Sequence, residues 1–447
     1  MNAPHARLRI PNGSSRAVAT TEHEVQIQQF RIEVVNGPNR GHVAVAEADE
    51  VTVGTAPTNH LVVTDPALSR HHLAIAATPA GFQLRDLSSS SGTLLAGFRV
   101  EVAYIDSGAL IQAGDTTFRF DVLDEYVSRQ LSEQDRFGDV LGQSAAMRRV
   151  FATLEQVAPT DTAVLLDGEA GTGKGALAEA IHRQSQRSSG PFVAVDLSSL
   201  SPGSIEGELF GYEPGSAPGV EDQRPGAFGA AEGGTIFLDG VAELSLELQA
   251  KLLRALESRQ IRRLGSVTPV PVDVRVVAST HRDLRHEVNA GTFRTDLFYR
   301  LGAVRVTVPP LRERAGDIPL LVGHFYRHSS PGAAEPPAEL LAGFQRQSWP
   351  GNVRELRSAV ERAALLAPSA APATAGSVNE SWPELDFTIS FRESKEGALA
   401  VWTRTYVRQL VDRYGGNLSR AARAVSMDRN HLRDLLHKYA MNGANQP

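Results

Sequence analysis

One stretch constrains this chain more than any other. Val164–Asp167 (VLLD) is a short apolar run, Gly168-Glu169-Ala170-Gly171-Thr172-Gly173-Lys174-Gly175 follows it, and a helical pattern begins at once. Strand, glycine-rich loop and helix in that order predict a phosphate-binding turn at the edge of a parallel sheet. Glycines at 168, 171 and 173 let the backbone curl until successive N–H groups converge on one anion. Lys174 adds a point charge, and the helix N-terminus adds its dipole. The implied ligand is a nucleoside triphosphate, ATP, with residues 168–175 around its phosphates. A Ser or Thr commonly follows the lysine to ligate Mg²⁺, and Gly175 stands there instead. A second apolar strand, Thr235–Asp239, ends in a carboxylate, the residue expected to hold Mg²⁺. Gly240 comes next.

Composition narrows the class. The 447 residues suggest about three domains. An apolar content of 42% and a charged content of 21% are those of globular domains. A net charge of −6 requires that any DNA contact be a local patch. Without cysteine there is no disulfide frame and no thiolate zinc site, as suits a reducing compartment. No apolar run of about 18 residues occurs, and the first residues lack an apolar targeting segment. The expectation is a cytoplasmic, nucleoid-associated protein.

Residues 1–23 are polar and rich in Pro, Gly and Ser, and disorder is expected. Across 24–122 short alternating runs (FRIEVV, HLAIAA, FQLRDL, TTFRFDV) are separated by turn residues at the spacing of a β-sandwich. Within it lie Ser69-Arg70-His71-His72 and Asp86-Leu87-Ser88-Ser89-Ser90-Ser91-Gly92. On these residues the segment resembles a forkhead-associated (FHA) domain, a phosphothreonine-reading sandwich. The resemblance places Ser69, Arg70, Ser90 and Ser91 at a phosphopeptide, chemistry that hydroxyls and a guanidinium suit. It departs at Thr55, Ser91 and Ala96, where the family carries Arg, Asn and Asn. A sandwich that only docks on neighbouring domains remains the alternative. His72 is expected to clamp loops and not to bind ligand.

Residues 123–138 are charged and predict a helical linker. In 139–309 the strands AVLLD, FVAVD, TIFLD, VRVVAS and VRVTV alternate with helical stretches, predicting a parallel sheet covered on both faces. Residues 310–368 predict a helical lid. ELFGYE, LSLELQAKLLRALE, FRTDLFYRL, PPLRERAGDIPLL and WPGNVREL make the block resemble the AAA+ core of sigma-54-dependent enhancer-binding proteins, which remodel promoter-bound polymerase. The resemblance implies that Arg294 and Arg300 reach a neighbour's γ-phosphate in a hexameric ring, and that Arg354 senses nucleotide in its own subunit. A guanidinium suits both roles.

Four departures accompany it. The water-orienting Glu of the family is Gly240. The Asn restraining that Glu is Asp196, the sensor Asn is His281, and the sigma-contacting loop reads Gly215-Ser216-Ala217-Pro218-Gly219-Val220. Losing a positioned base costs typically ~10²–10⁴ in rate. Slow hydrolysis is expected, with Asp196 acting as substitute base as the alternative; Glu243 is the poorer substitute.

Residues 369–396 predict a linker rich in Ala, Pro, Ser and Thr. In 397–441, Leu399, Trp402, Tyr406 and Leu410 predict one packed helix. Leu418, Ala421, Ala422 and Val425 line a second. Asp428 caps a third that buries Leu432, Leu435, Leu436 and Tyr439. Arg429, Asn430, Arg433 and His437 lie on the opposite face, and Arg420 on the preceding helix. This is a helix-turn-helix pattern, and its GN-x-S-x-A-A core resembles a Fis-type DNA-binding domain. Between Ala398 and Pro447 basic side chains exceed acidic ones by five, the local patch an acidic chain needs.

The expected fold is multidomain: an FHA β-sandwich, an α/β P-loop AAA+ domain with helical lid, and an all-α helix-turn-helix. The expected partners are DNA at an upstream enhancer-like site, sigma-54 polymerase, a phosphothreonine protein, and further copies of the chain, as a dimer on DNA and a hexameric ring.

Overall fold

The computed structural model describes residues 17–21, 23–46, 49–216, 221–329, 335–366 and most of 400–440. Residues up to Ala367 form one compact unit, and Pro368–Pro447 form a second. The expectations for residues 1–16, for Ala217–Val220, for the 369–396 linker and for Leu399 and Trp402 lie outside the described residues. Among the described residues no helix is long and apolar enough to cross a membrane.

The first unit opens with two stacked sheets. One runs in the order 18–20, 24–36, 116–130, 110–113, 93–95, 98–100, and the other 102–105, 81–86, 73–78, 50–54, 61–62. Alternation sends Phe30, Ile32, Val34, Phe82, Leu84, Phe118 and Phe120 inward. The rings of Phe30, Phe82 and Phe120 meet with centroids 5.2–5.4 Å apart at its centre.

Two expectations fail at the ends of this sandwich. Val18–Thr20 is already a strand, paired with Val25–Ile27, so order begins before residue 24. The charged segment after Leu123 is not helical. Thr116–Gln130 is one long strand, paired antiparallel with Glu24–Asn36 out to Gln130↔Glu24 with a shift between Val122 and Tyr126. Arg136–Phe137 is again a strand. An existing strand offers a full ladder of backbone partners, and that outweighs the weak local helix preference of LDEYVSRQ.

The central sheet consists of five parallel strands: β1 (Val164–Asp167), β2 (Phe192–Asp196), β3 (Thr235–Asp239), β4 (Arg275–Thr280) and β5 (Val304–Thr307). Their order is β2-β3-β4-β1-β5. Alternate residues feed opposite faces. Leu165, Ile236, Leu238, Val276 and Ala278 enter one core, and Val164, Leu166, Phe237, Val277 and Val306 the other. The second core receives α1 (Ala145–Val157) and α2 (Lys174–Arg183). The first receives α3 (Leu246–Ser258), α4 (Leu284–Ala290) and α5 (Thr295–Leu301). On α3, Leu248 and Leu252 are buried and Leu256 is partly so, one face of the helix.

Three helices, α6 (Ile318–Ser329), α7 (Ala338–Gln345) and α8 (Asn352–Leu366), form the lid around Trp349, Leu356 and Val360. In the second unit α9 (Leu418–Ala424) and α10 (Arg429–Ala440) pack Ala421, Ala422 and Leu432 together with Val407 and Leu410. Val407, not Tyr406, is the buried neighbour of Leu410; Tyr406 is exposed.

Candidate functional site

The glycine loop leaves β1 and runs into α2, and the lid closes over it. A cavity of ≈590 Å³ is bordered by residues 170–176, by Asp196, Asp239, Gly240 and His281 from the sheet ends, and by Arg354 and Arg357 from α8. All the residues expected at the phosphates, from Gly168 to Gly175, lie on this loop or at the start of α2. Gly173 has φ +106°, and nothing lies within 4 Å of where a Cβ would stand. The loop is therefore open on that side, where converging N–H groups can meet an anion.

Lys174 is nearly buried at 8% exposure, and burial pulls its pKa down. Its ammonium donates to the carbonyls of Gly168 (2.7 Å) and Glu169 (2.9 Å), which holds the charge at the loop.

The acids at the strand ends are each already engaged. Asp239 accepts from the Ser279 hydroxyl on β4. Asp196, opposite Asp239 in register, accepts from Ser198 Oγ at 2.6 Å and Ser198 N at 3.0 Å. Those bonds hold the Asp196 carboxyl below its ordinary range, so it is a weak proton acceptor. Glu243 pairs with Arg282 at 2.8 Å. Between them Gly240 sits at φ +83°, with the nearest atom to an added Cβ at 3.8 Å.

Contacts that sequence reasoning missed fasten the lid to the loop. Arg312 grips Glu169 through both terminal nitrogens, at 2.7 and 2.9 Å. Arg314, buried, donates to Thr172 O at 2.7 Å. Asn352, fully buried at φ +55°, accepts from Leu311 N (2.7 Å) and donates to Ala170 O (3.1 Å). The motifs PPLRER and WPGNVREL flagged these positions, but no local pattern names a partner more than 140 residues away.

Arg354 borders the cavity, and its backbone N–H reaches Gly171 O at 3.2 Å. Arg294 and Arg300 do not border it. Arg294 precedes α5 and pairs with Asp296 (2.6 Å), while Arg300 donates to Leu256 O (3.1 Å).

In the sandwich Ser69 Oγ accepts from Ser90 N at 2.9 Å and meets its hydroxyl at 3.2 Å, so the two loops come together. Ser91 donates to Ala67 O. His72 is fully buried, accepting from Ser69 N and reaching Gly92 O at 3.2 Å, a loop clamp as expected. Arg70 donates to Thr295 of α5.

In the second unit Asp428 accepts from the N–H groups of Asn430 and His431 and caps α10. Arg420, Arg429, Asn430 and Arg433 are exposed. The side chains of His437 and Tyr439 lie outside the described residues.

Residues 140–307 match the family described as the sigma-54 interaction domain, and residues 312–375 match the AAA+ ATPase lid domain. The transcriptional regulatory protein ZraR of Escherichia coli (strain K12) is 40% identical over 311 residues, covering 66% of this chain and 68% of that one. The chain belongs to the sigma-54-dependent transcriptional regulators. Another member of this family, the Nif-specific regulatory protein of Herbaspirillum seropedicae, is 44% identical over 244 residues, 54% of this chain and 45% of its own. A crystal structure of NtrX from Brucella abortus in complex with ATP is 37% identical with a TM-score of 0.48, covering 68% of this chain and 70% of that one. Outside the core, residues 33–123 match the cytoplasmic domain of an inner membrane component of T3SS. In this sigma-54-dependent regulator Gly240 borders the cavity with Asp196 and Asp239, and the nearest atom to a Cβ added there belongs to Glu243.

Proposed function

We propose that this chain is a DNA-anchored transcriptional regulator whose core binds ATP and hydrolyses it slowly. The observation that carries the proposal is Gly240: it brings no carboxylate to the cavity, and Asp239, Asp196 and Glu243 are tied to Ser279, Ser198 and Arg282. Lys174 and the N–H groups of residues 171–175 hold the triphosphate, Asp239 is the ligand for Mg²⁺, and Arg354 closes the site from the lid. Bound Mg²⁺ would neutralise phosphate charge, and such ions are commonly held by one or two carboxylates plus substrate phosphates, so a single aspartate suffices. Arg294 and Arg300 serve a neighbouring subunit's nucleotide in a hexameric ring, exchanging their present bonds to Asp296 and Leu256 O for its γ-phosphate.

Arg429, Asn430, Arg433, His437 and Arg420 carry DNA binding at an upstream enhancer-like site, as a dimer, through a Fis-type helix-turn-helix. The sandwich reads a phosphothreonine partner as an FHA domain through Ser69, Arg70, Ser90 and Ser91. Contact with sigma-54 polymerase is weakened by the altered 215–220 loop. The protein works in the cytoplasm, at the nucleoid.

One observation favours a second reading, an active ATPase that remodels sigma-54 polymerase. Asp196 borders the cavity beside Asp239 and could orient water from the adjacent strand, about one hydrogen-bond length further away. Steady-state ATP turnover of wild type, Asp196→Ala and Lys174→Ala, with nucleotide binding measured in parallel, separates the two. Binding that needs Lys174 with slow turnover indifferent to Asp196 supports the proposal. Brisk turnover silenced by Asp196→Ala overturns it.

A further inference from the structure

The loop edge of the sandwich that brings Ser69 and Ser90 together does not face open solvent along its whole length. Asn289, at the C-terminal end of α4, enters between the two loops. Its side-chain oxygen accepts from His71 N at 3.1 Å, and its nitrogen donates to His71 O at 2.5 Å and Leu87 O at 2.9 Å. A single amide thereby satisfies backbone groups on both loops, as a bound peptide would.

Helix α5 completes the contact. Tyr299 OH reaches His71 Nε2 at 3.0 Å and also meets Thr58, while the Phe298 ring lies edge-on to the His71 imidazole. His71 donates through Nδ1 to Asn59 Oδ1 at 2.9 Å, which leaves Nε2 to accept from the tyrosine. Further along, Arg285 of α4 pairs with Glu50 of the sandwich at 2.7 Å, with the Arg285 side chain only 13% exposed.

The same short helix has two kinds of surface. Thr295, Phe298 and Tyr299 face the sandwich, while Arg294 at its start and Arg300 near its end stay exposed. Arg70 belongs to both arrangements, since it follows Ser69 in the chain and its guanidinium donates to Thr295 at 3.3 Å. A doubly charged phosphate is a far stronger acceptor than a threonine hydroxyl.

We propose that the reading edge of the sandwich is held in cis by α4 and α5, and that a phosphothreonine peptide engaging Ser69, Arg70 and Ser90 competes with this clamp and frees the helix that carries Arg294 and Arg300. This rests on the phosphothreonine reading of the sandwich and adds to it a built-in competitor. The clamp is a population: the peptide's apparent dissociation constant is its intrinsic value divided by the undocked fraction. Removing the clamp therefore tightens peptide binding without touching a peptide-binding residue.

The test uses the full-length protein and a fluorescent pool of degenerate phosphothreonine peptides, with the unphosphorylated pool as control, read by anisotropy. Asn289→Ala/Tyr299→Ala should bind the phosphorylated pool about tenfold or more tightly than wild type. Adding Arg70→Ala to that background should abolish the gain. Glu50→Gln, which removes the pairing to Arg285 without touching the helices, should shift binding in the same direction by less. Hydrogen–deuterium exchange follows residues 284–301 in parallel: peptide saturation of wild type should speed exchange there, as the double variant does without peptide. Equal affinity of wild type and both clamp variants overturns the inference and leaves the sandwich reading intact. Failure of every variant to bind the phosphorylated pool overturns the sandwich reading and the inference with it.

Discussion

Arg312, at the start of the lid, and Glu169, the second residue of the glycine loop, form a two-point ion pair at 2.7 and 2.9 Å. The pair makes lid position a property that the phosphate loop feels directly. Hydrogen bonds from Arg312 hold the Glu169 carboxyl below its ordinary range, so the contact survives mild acid and is lost only as pH falls through that lowered value. Both side chains are about half exposed, at 48% and 43%, which limits the pair to about 1 kcal/mol or less. Arg312→Ala should therefore weaken ATP binding by no more than about fivefold, measured by calorimetry, with the fold unchanged.

Asn352 is a larger matter because it is fully buried. Asn352→Ala strands the Leu311 N–H and the Ala170 carbonyl away from water, and such losses cost about 1–3 kcal/mol. Its left-handed φ of +55° suits Asn better than Ala and adds to the loss. Thermal unfolding should show a lower Tm, and protease should cut the lid sooner.

Gly240 can be tested by restoring a side chain. The space is open to 3.8 Å, so the backbone and not crowding opposes substitution, at a cost of about 1–2 kcal/mol for a left-handed residue. Gly240→Ala should lower Tm with no gain in ATP turnover. Gly240→Glu should lower Tm similarly and raise turnover above wild type. If turnover stays flat while ATP still binds, a missing carboxylate is not what limits this site.

Acid should loosen the sandwich from the core. Burial, with Arg285, Arg305 and Arg70 nearby and Asp283 opposing them, lowers the His71 pKa from 6.5 to about 4. The unfolded or undocked chain thus takes up the proton first, and the stability held in neutral His71 is complete above pH 6.5 and drains away toward pH 4. Amide exchange at residues 284–301, corrected for intrinsic pH dependence, should rise between pH 6.5 and 5. In His71→Gln that extra rise should vanish.

On DNA, Arg433→Ala should relax preference at one base position and cost about 1–3 kcal/mol on the cognate site. Arg420→Ala should weaken all sequences alike and reduce the salt slope by about one. Binding isotherms on cognate and scrambled duplexes at several salt concentrations read both effects, and the reversed pattern would exchange the roles of α9 and α10.

The parts legible in residue order are those set by neighbours in the chain. Apolar runs ending at Asp167 and Asp239, the glycines between Gly168 and Gly173, and the alternation through Phe118 and Phe120 declare strand, loop and sandwich because period and backbone freedom are local properties. Tertiary structure alone decided the rest. The segment after Leu123 became strand because Glu24–Asn36 was there to pair with it. Asn352 and Arg312 became partners of the glycine loop, and Asn289 of His71, across separations that no periodicity encodes. The identity of an amide or a guanidinium fixes what it can bond; which carbonyl or carboxylate waits at hydrogen-bond distance is known only once the chain has closed its loops.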